Sequence, residues 1–371
     1  MPFSKVKKRI GFALFLVLFT IIAAEIILRI YNPFATSVTG DRITLHTNTI
    51  VVINNGPNAS GLDESVTVKK NSLGFRGPEP PQNFNDHLTI LTVGGSTTEC
   101  LFIPEEKTWP HLLGQQLQSS FNNVWLNNAG LNGHSTYGHL QLMKEYIVKL
   151  HPDYCLFLVG CNEVNRTDLT PSDSNINNEQ QKLIVKLANY SVLANVSLNF
   201  YRHHLASQRE LVNNKHFSLR GKEKRAISDS IIQLRVQQQA ILVNQYEQRL
   251  RQLISLCSTS NITPVFITQP CLLGDITDDI TGINMGSYPL EDNSNGKLNW
   301  TLLQLYNQKT LAVCKANGIY TIDLASLLPM SSRYFYDNYH HTNEGCKKIS
   351  EIIYDILSPM LAKKELKHLV K

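Results

Sequence analysis

The chain has 371 residues, 42% of them hydrophobic and 18% charged, with no low-complexity tract and no evident repeat. A chain of that size and composition folds around a substantial core and is neither disordered nor a solenoid. Its formal charge of +5 is modest and sits partly at the two ends, in Lys5, Lys7, Lys8 and Arg9 and in Lys363, Lys364, Lys367 and Lys371, which argues against a nucleic-acid partner and for a membrane-proximal terminus.

Residues 10–30 read IGFALFLVLFTIIAAEIILRI, apolar except for Thr20, Glu25 and Arg29, and follow the basic run KVKKR. About 20 apolar residues suffice for a helix to cross a bilayer, and Glu25 and Arg29 fall one helical turn apart near its far end. We expect residues 1–31 to form a signal anchor, a single-pass transmembrane helix. The basic flank would stay cytoplasmic and leave the rest of the chain on the extracytoplasmic (periplasmic or extracellular) side. A cleaved signal peptide ending near Ala24 is the alternative, but Ile22-Ala23-Ala24 is a poor small-x-small cleavage site.

Residues 32–86 are rich in Asn, Gly, Pro and Thr with short β-branched runs, the pattern of a linker leading into irregular or hairpin structure packed on the main domain. From residue 87 to 362 short apolar runs alternate with helical stretches. The runs are LTILTVGG (88–95), NVWLNNAG (123–130), YCLFLVGCN (154–162), TPVFITQP (263–270) and IYTIDLA (319–325). Helices are expected at 109–119, 137–150, 227–258, 302–317 and 343–361. Continuous apolar strands alternating with helices predict an α/β fold, a three-layer α/β/α sandwich around a five-stranded parallel sheet. Residues 166–224 interrupt the rhythm and read as an insertion, either a lid over the site or a surface excursion, and residues 363–371 read as a basic tail. Seven scattered cysteines (Cys100, Cys155, Cys161, Cys257, Cys271, Cys314, Cys346) contain no CxxC pair, so neither a disulfide framework nor a zinc knuckle is indicated.

In open α/β sheets, ligands bind beyond the carboxyl ends of the strands. Four polar clusters follow the apolar runs: Gly94-Gly95-Ser96-Thr97, Asn128-Ala129-Gly130, Gly160-Cys161-Asn162-Glu163 and, before the last helix, Asp337-Asn338-Tyr339-His340. Each alone is ordinary, since a serine after glycines is usually a turn and a strand-end Asn usually a cap. Together, in one order, they supply a nucleophile, a base, an orienting carboxylate and amide donors, the set that acyl transfer requires. A serine hydroxyl needs a neighbouring imidazole to accept its proton, and a carboxylate three residues before the histidine can hold the ring in the right tautomer.

This order of motifs resembles the SGNH hydrolase superfamily, the GDSL-type esterases, over about residues 70 to 360. The GDS-like block is matched by GGST, the glycine block by NAG, the GxND block by GCNE and the DxxH block by DNYH. NSLGFRGPE (71–79) and HHTNEG (340–345) also resemble membrane-anchored bacterial members. The resemblance implies the flavodoxin-like SGNH fold and a catalytic triad of Ser96, Asp337 and His340. It also implies an oxyanion hole from the Ser96 and Gly130 N–H groups and the Asn162 amide, and no metal or organic cofactor. Two departures stand out: Gly95 occupies the usual Asp position, and Glu163 replaces the Asp of the ND pair, a change expected to loosen the loop carrying Asn162. His341 is an alternative base, although the DxxH spacing and the following Thr-x-x-Gly favour His340. Arg76 either supports the site or bridges the N-terminal segment to the sheet. No GxSxG elbow, P-loop, GxGxxG or HExxH is present.

The expected activity is hydrolysis of a carboxylic ester, an ester-bearing lipid or an O-acylated glycan, through an acyl-serine intermediate. An O-acyltransferase that passes the acyl group to an envelope sugar would keep the same triad. A catalytically silent polysaccharide-binding protein on the same fold is the reading from another class.

Overall fold

The first apolar run, Leu88–Gly94 (β5), has every residue after Leu88 buried, and the pattern repeats in Val124–Asn128 (β6), Tyr154–Val159 (β7) and Thr263–Thr268 (β8). Strands buried on both faces need helices above and below, as in a parallel sheet. A computed structural model, which describes residues 3–34, 38–40, 42–57, 59–164, 179–208, 218–219, 222–290 and 293–369, has that sheet. With Tyr320–Ile322 (β9) it is five-stranded, in the order β6-β5-β7-β8-β9, and every pairing is parallel. In order of appearance this is 2-1-3-4-5, the flavodoxin-like arrangement, so the strand order reverses at β5, between β6 and β7, and a ligand crevice belongs beyond its carboxyl end.

Ahead of the sheet come the helix Phe3–Ile30 (α1) and two small antiparallel ladders, Val38–Thr39 (β1) with Arg42–Ile43 (β2), and Ile50–Asn54 (β3) with Ser65–Lys69 (β4). The described helices after α1 are Ser96–Glu99 (α2), Trp109–Gln118 (α3), Thr136–Leu142 (α4) passing through a π turn into Val148–Leu150 (α5), Glu179–Ala188 (α6), Val192–Gln208 (α7), Asp229–Thr259 (α8), Gly296–Ala316 (α9), Leu324–Leu327 (α10) and Asn343–Leu369 (α11).

Caps explain the helix starts. Thr108, Ser135, Ser228 and Asn295 each accept a backbone N–H from the first turn of α3, α4, α8 and α9. The Asn295 cap starts α9 six residues before the expected Leu302. At the other end α11 runs on to Leu369, so the stretch expected as a basic tail continues the last helix. Helix α1 is apolar over Lys7–Ile30, with mean hydropathy 2.6, and that apolar stretch is not buried in the protein.

The segment expected to enter hairpin structure packed on the main domain is tied to the sheet. Asn71 organises the turn by accepting from the N–H groups of Leu73 and Phe75 and donating to Pro78 O. Arg76 and Asn128 then exchange backbone hydrogen bonds, which covers the outer edge of β6. The Arg76 side chain is fully buried, donating to Glu99 O, Cys100 O and Ile103 O and pairing with the Glu105 carboxylate at 2.8 Å. Two of those carbonyls end α2, so Arg76 both bridges the extension to the sheet and satisfies the helix that carries Ser96.

Of the insertion, residues 166–178, 209–217 and 220–221 lie outside the described residues; α6 and α7 pack on each other, and α7 packs against α1.

Removing Arg76 orphans three buried carbonyls and one carboxylate. We therefore expect Arg76→Met to lower unfolding free energy by about 3 kcal/mol or more, read from urea unfolding of the full chain in detergent. A loss below about 1 kcal/mol would mean that the guanidinium contributes no net support at this turn.

Candidate active site

At the carboxyl end of β5 the chain turns through Gly95 into α2, which places Ser96 at the first helical position. Ser96 Oγ lies 2.8 Å from His340 Nε2, across 244 residues of sequence. The other ring nitrogen, Nδ1, lies 2.7 Å from Asp337 Oδ2 and 2.9 Å from Oδ1. Asp337 Oδ1 also accepts the backbone N–H groups of Tyr339 and His340, so one carboxylate holds both the ring and its own loop. All three side chains are buried, with Ser96 only 3% exposed. The ring of Tyr336 stacks on His340 at 5.6 Å, which fixes the imidazole plane from a second side.

His341, the alternative base, takes no part in this chain of hydrogen bonds. It packs against the Phe335 ring at 5.1 Å, and neither ring nitrogen has a hydrogen-bond partner among the described residues. Burial, with the neighbouring His340 adding to it, pushes its pKa down to about 3, so the ring is neutral near pH 7.

Asn162 sits in the turn after β7 and donates Nδ2–H to His134 O at 2.7 Å. This fixes its amide beside the Ser96 backbone. A Cβ added at Gly95 would lie 2.6 Å from Asn162 Nδ2 and 3.0 Å from His134 O. The family's usual Asp at that position is therefore incompatible with this placement of Asn162. The Ser96 N–H has no acceptor among the described residues, as a first-turn N–H facing a ligand site requires.

Gly130 departs from expectation. Its N–H is donated to Asn128 Oδ1 at 2.9 Å, and a Cβ there would lie 2.4 Å from Glu99 N. The residue is a close-packing point between β6 and α2, and its donor is already engaged. Three residues on, Gly133 adopts φ +75° in the same loop, directly before the residue whose carbonyl anchors Asn162. Its N–H has no acceptor among the described residues. In the sequence this residue is the second glycine of NAGLNG, three positions after the one the motif order points to.

The second departure does not loosen the Asn162 loop. Glu163 is buried, accepts from Thr136 N and Oγ1 at 2.8 and 2.6 Å, and pairs with Arg249 Nη2 at 2.9 Å. Arg249 also donates to Thr136 Oγ1 and lies over the Tyr137 ring at 3.7 Å. The longer carboxylate thus ties the loop to the start of α4 and to α8. Glu99, likewise buried, accepts from Asn132 N and pairs with Lys70 at 2.9 Å, joining the Gly130–Gly133 loop to the N-terminal extension.

A serine hydroxyl, an imidazole and a carboxylate are linked here at hydrogen-bond distances, with the Asn162 amide close to the Gly95–Ser96 turn, equipment suited to acyl transfer. The model of the GDSL-like lipase/acylhydrolase family matches residues 92–348, which brackets all of these groups. The chain belongs to that family. It is accordingly an enzyme of the esterase class.

Solved structures similar to this GDSL-like chain include LAE5, an alpha/beta hydrolase enzyme from the metagenome of Lake Arreo (13% identity, 73% of this chain and 94% of that one, TM-score 0.42). Others are Axe2, an acetylxylan esterase from Geobacillus stearothermophilus (12%, 72% and 92%, 0.41), and TesA (11%, 73% and 98%, 0.41). Comparison with curated proteins gives no match.

Two outcomes follow. Gly95→Ala should displace Asn162 and lower kcat by about 10²-fold, the usual cost of one oxyanion donor, with KM for p-nitrophenyl acetate little changed; an unchanged kcat would show that Asn162 takes no part. For His341, a folded pKa below the unfolded value of about 6.5 means that the unfolded chain binds more protons between those values. Its contribution is full above pH 6.5 and is lost as pH falls toward 3. The stability difference between pH 7 and pH 5 should therefore be about 2 kcal/mol larger in the native chain than in His341→Asn, measured by urea unfolding at both pH values.

Proposed function

We propose that this chain hydrolyses a carboxylic ester through an acyl-Ser96 intermediate. The observation that carries the reading is the unbroken Ser96–His340–Asp337 hydrogen-bond chain. His340 Nε2 takes the Ser96 proton as Oγ attacks the ester carbonyl. Asp337 keeps the remaining N–H on Nδ1 and stabilises the imidazolium. Negative charge on the tetrahedral oxygen is met by the Ser96 N–H, the Asn162 amide and, in place of Gly130, the Gly133 N–H. His340 then protonates the leaving alkoxide, and a water activated by the same ring releases the acid and restores the serine.

The enclosed position of Ser96, with Tyr336 stacked on the base, supports a short acyl group over a long chain. An acetylated glycan or a short-chain ester of an envelope lipid fits that limit. The hydropathy of α1 and the basic residues before it support a single-pass anchor with residues 32–371 outside the cytoplasm, residues 87–362 forming the hydrolase unit.

A fluorophosphonate probe should label the full chain in detergent at Ser96, and p-nitrophenyl acetate turnover should fall by at least about 10³-fold in Ser96→Ala. Turnover should also fall steadily from the acetate to the octanoate ester. Labelling that survives in Ser96→Ala would remove the nucleophile, and a folded native chain with neither labelling nor turnover would favour a silent binding role.

A further inference from the structure

Glu25 lies in the last turns of the apolar helix, where an ionised side chain is costly unless it is compensated. The compensation comes from the insertion. The Glu25 carboxylate accepts from Ser191 Oγ at 2.8 Å, Val192 N at 3.1 Å and Leu193 N at 3.0 Å, capping α7 from another helix, and from Arg29 Nε at 2.8 Å. Arg29 in turn donates to Tyr190 O at 2.6 Å. The α6–α7 pair is bound to the same stretch of chain further on: Gly40 exchanges hydrogen bonds with Asn195 and Arg202, and Phe34 packs on Phe200 at 5.3 Å.

This helix pair has its own small core, Val185, Ala188 and Leu198, separate from the core that covers the sheet. Its outer side is also apolar. Leu183, Ile184, Leu187, Tyr190, Phe200 and Tyr201 are between 39% and 79% exposed. Helix α6 therefore presents apolar side chains to α7 on one side and to its surroundings on the other, a pattern suited to an apolar environment rather than to water.

The position of the patch identifies its occupant. At about 1.5 Å per residue, Ile10–Ile30 spans about 30 Å, the hydrocarbon thickness, and Glu25 falls about 8 Å short of the far end, near the headgroup boundary. A surface fastened to Glu25 and Arg29 is thus continuous with the membrane-embedded surface of α1. Tyrosines at such a boundary bury their rings and keep their hydroxyls wet.

We infer that α6 and α7 form a lipid-binding surface seated in the leaflet from which α1 emerges, and that Glu25 and Arg29 latch it to the anchor. This rests on α1 spanning the bilayer. The latch makes the anchor more than a flexible tether, because it fixes the orientation of the catalytic domain over the membrane.

The test uses the full chain in phosphatidylcholine vesicles with a benzophenone amino acid placed singly at position 19 (in α1), 187, 200 or 320, each variant first shown to take the fluorophosphonate label. Tyr320 on edge strand β9 is exposed and serves as the soluble-side reference. Lipid adducts are expected at positions 19, 187 and 200 well above those at 320, and in Glu25→Gln the adducts at 187 and 200 should fall several-fold while position 19 is unchanged. Adducts at 19 alone would overturn the surface and leave the span intact. No adduct at 19 would overturn the span and the surface with it. Adducts at 187 and 200 to a second protein copy, or labelling there that is indifferent to Glu25→Gln, would overturn the assigned occupant or the latch respectively.

Discussion

A hydrogen bond of 2.8 Å between Ser96 and His340 requires two loops, 244 residues apart in the chain, to be held to within a few tenths of an ångström. Neither loop can do this alone. The Ser96 turn is fixed from behind by Arg76 on its carbonyls, from one side by Trp109 Nε1 on Thr97 O, and from the other by Asn128 Nδ2 on Thr98 O. The His340 turn is held by Asp337, which uses one carboxylate for the imidazole and for two backbone N–H groups. Each end is therefore immobilised by groups that take no part in bond making, and the reactive contact forms where the two rigid turns meet.

Buried charge around the site follows the same logic. Arg76 with Glu105, Lys70 with Glu99 and Arg249 with Glu163 are each paired and further hydrogen-bonded, the condition under which buried ions are tolerated. Each pair joins an element outside the sheet to a loop beside Ser96. The N-terminal extension supplies two of the cations and α8 the third. What composition marked as a linker is thus part of the support of the site, and the Glu in place of the family's Asp serves as a tie between the Asn162 loop, α4 and α8.

The apolar helix α1 is joined to the insertion by Glu25 and Arg29. Glu25 and Arg29 look anomalous in an apolar helix until the first turn of α7 is set beside them, where unpaired N–H groups and a carboxylate satisfy one another. The small α6–α7 core is separate from the core that covers the strands, and the α6–α7 turn and the start of α7 are hydrogen-bonded to α1.

The strands and the longer helices of the sheet domain were legible in the amino-acid sequence, because continuous apolar runs and helix caps are local signals; the triad was legible only through the order of motifs that resembles the SGNH family. The five runs form β5 to β9 in a flavodoxin-like order, and the resemblance implies Ser96, Asp337 and His340, which the fold brings together. Tertiary structure decided what depends on partners distant in sequence. Gly130 and Gly133 are equivalent as letters, and only the approach of Asn128 and Glu99 engages the first and leaves the second with an N–H that lacks an acceptor. The tie made by Glu163 depends on Arg249, 86 residues away, and the support given by Arg76 depends on carbonyls 23 and 24 residues away. A side chain's identity fixes which hydrogen bonds it can make. Which ones it does make depends on what the fold brings within about 3 Å.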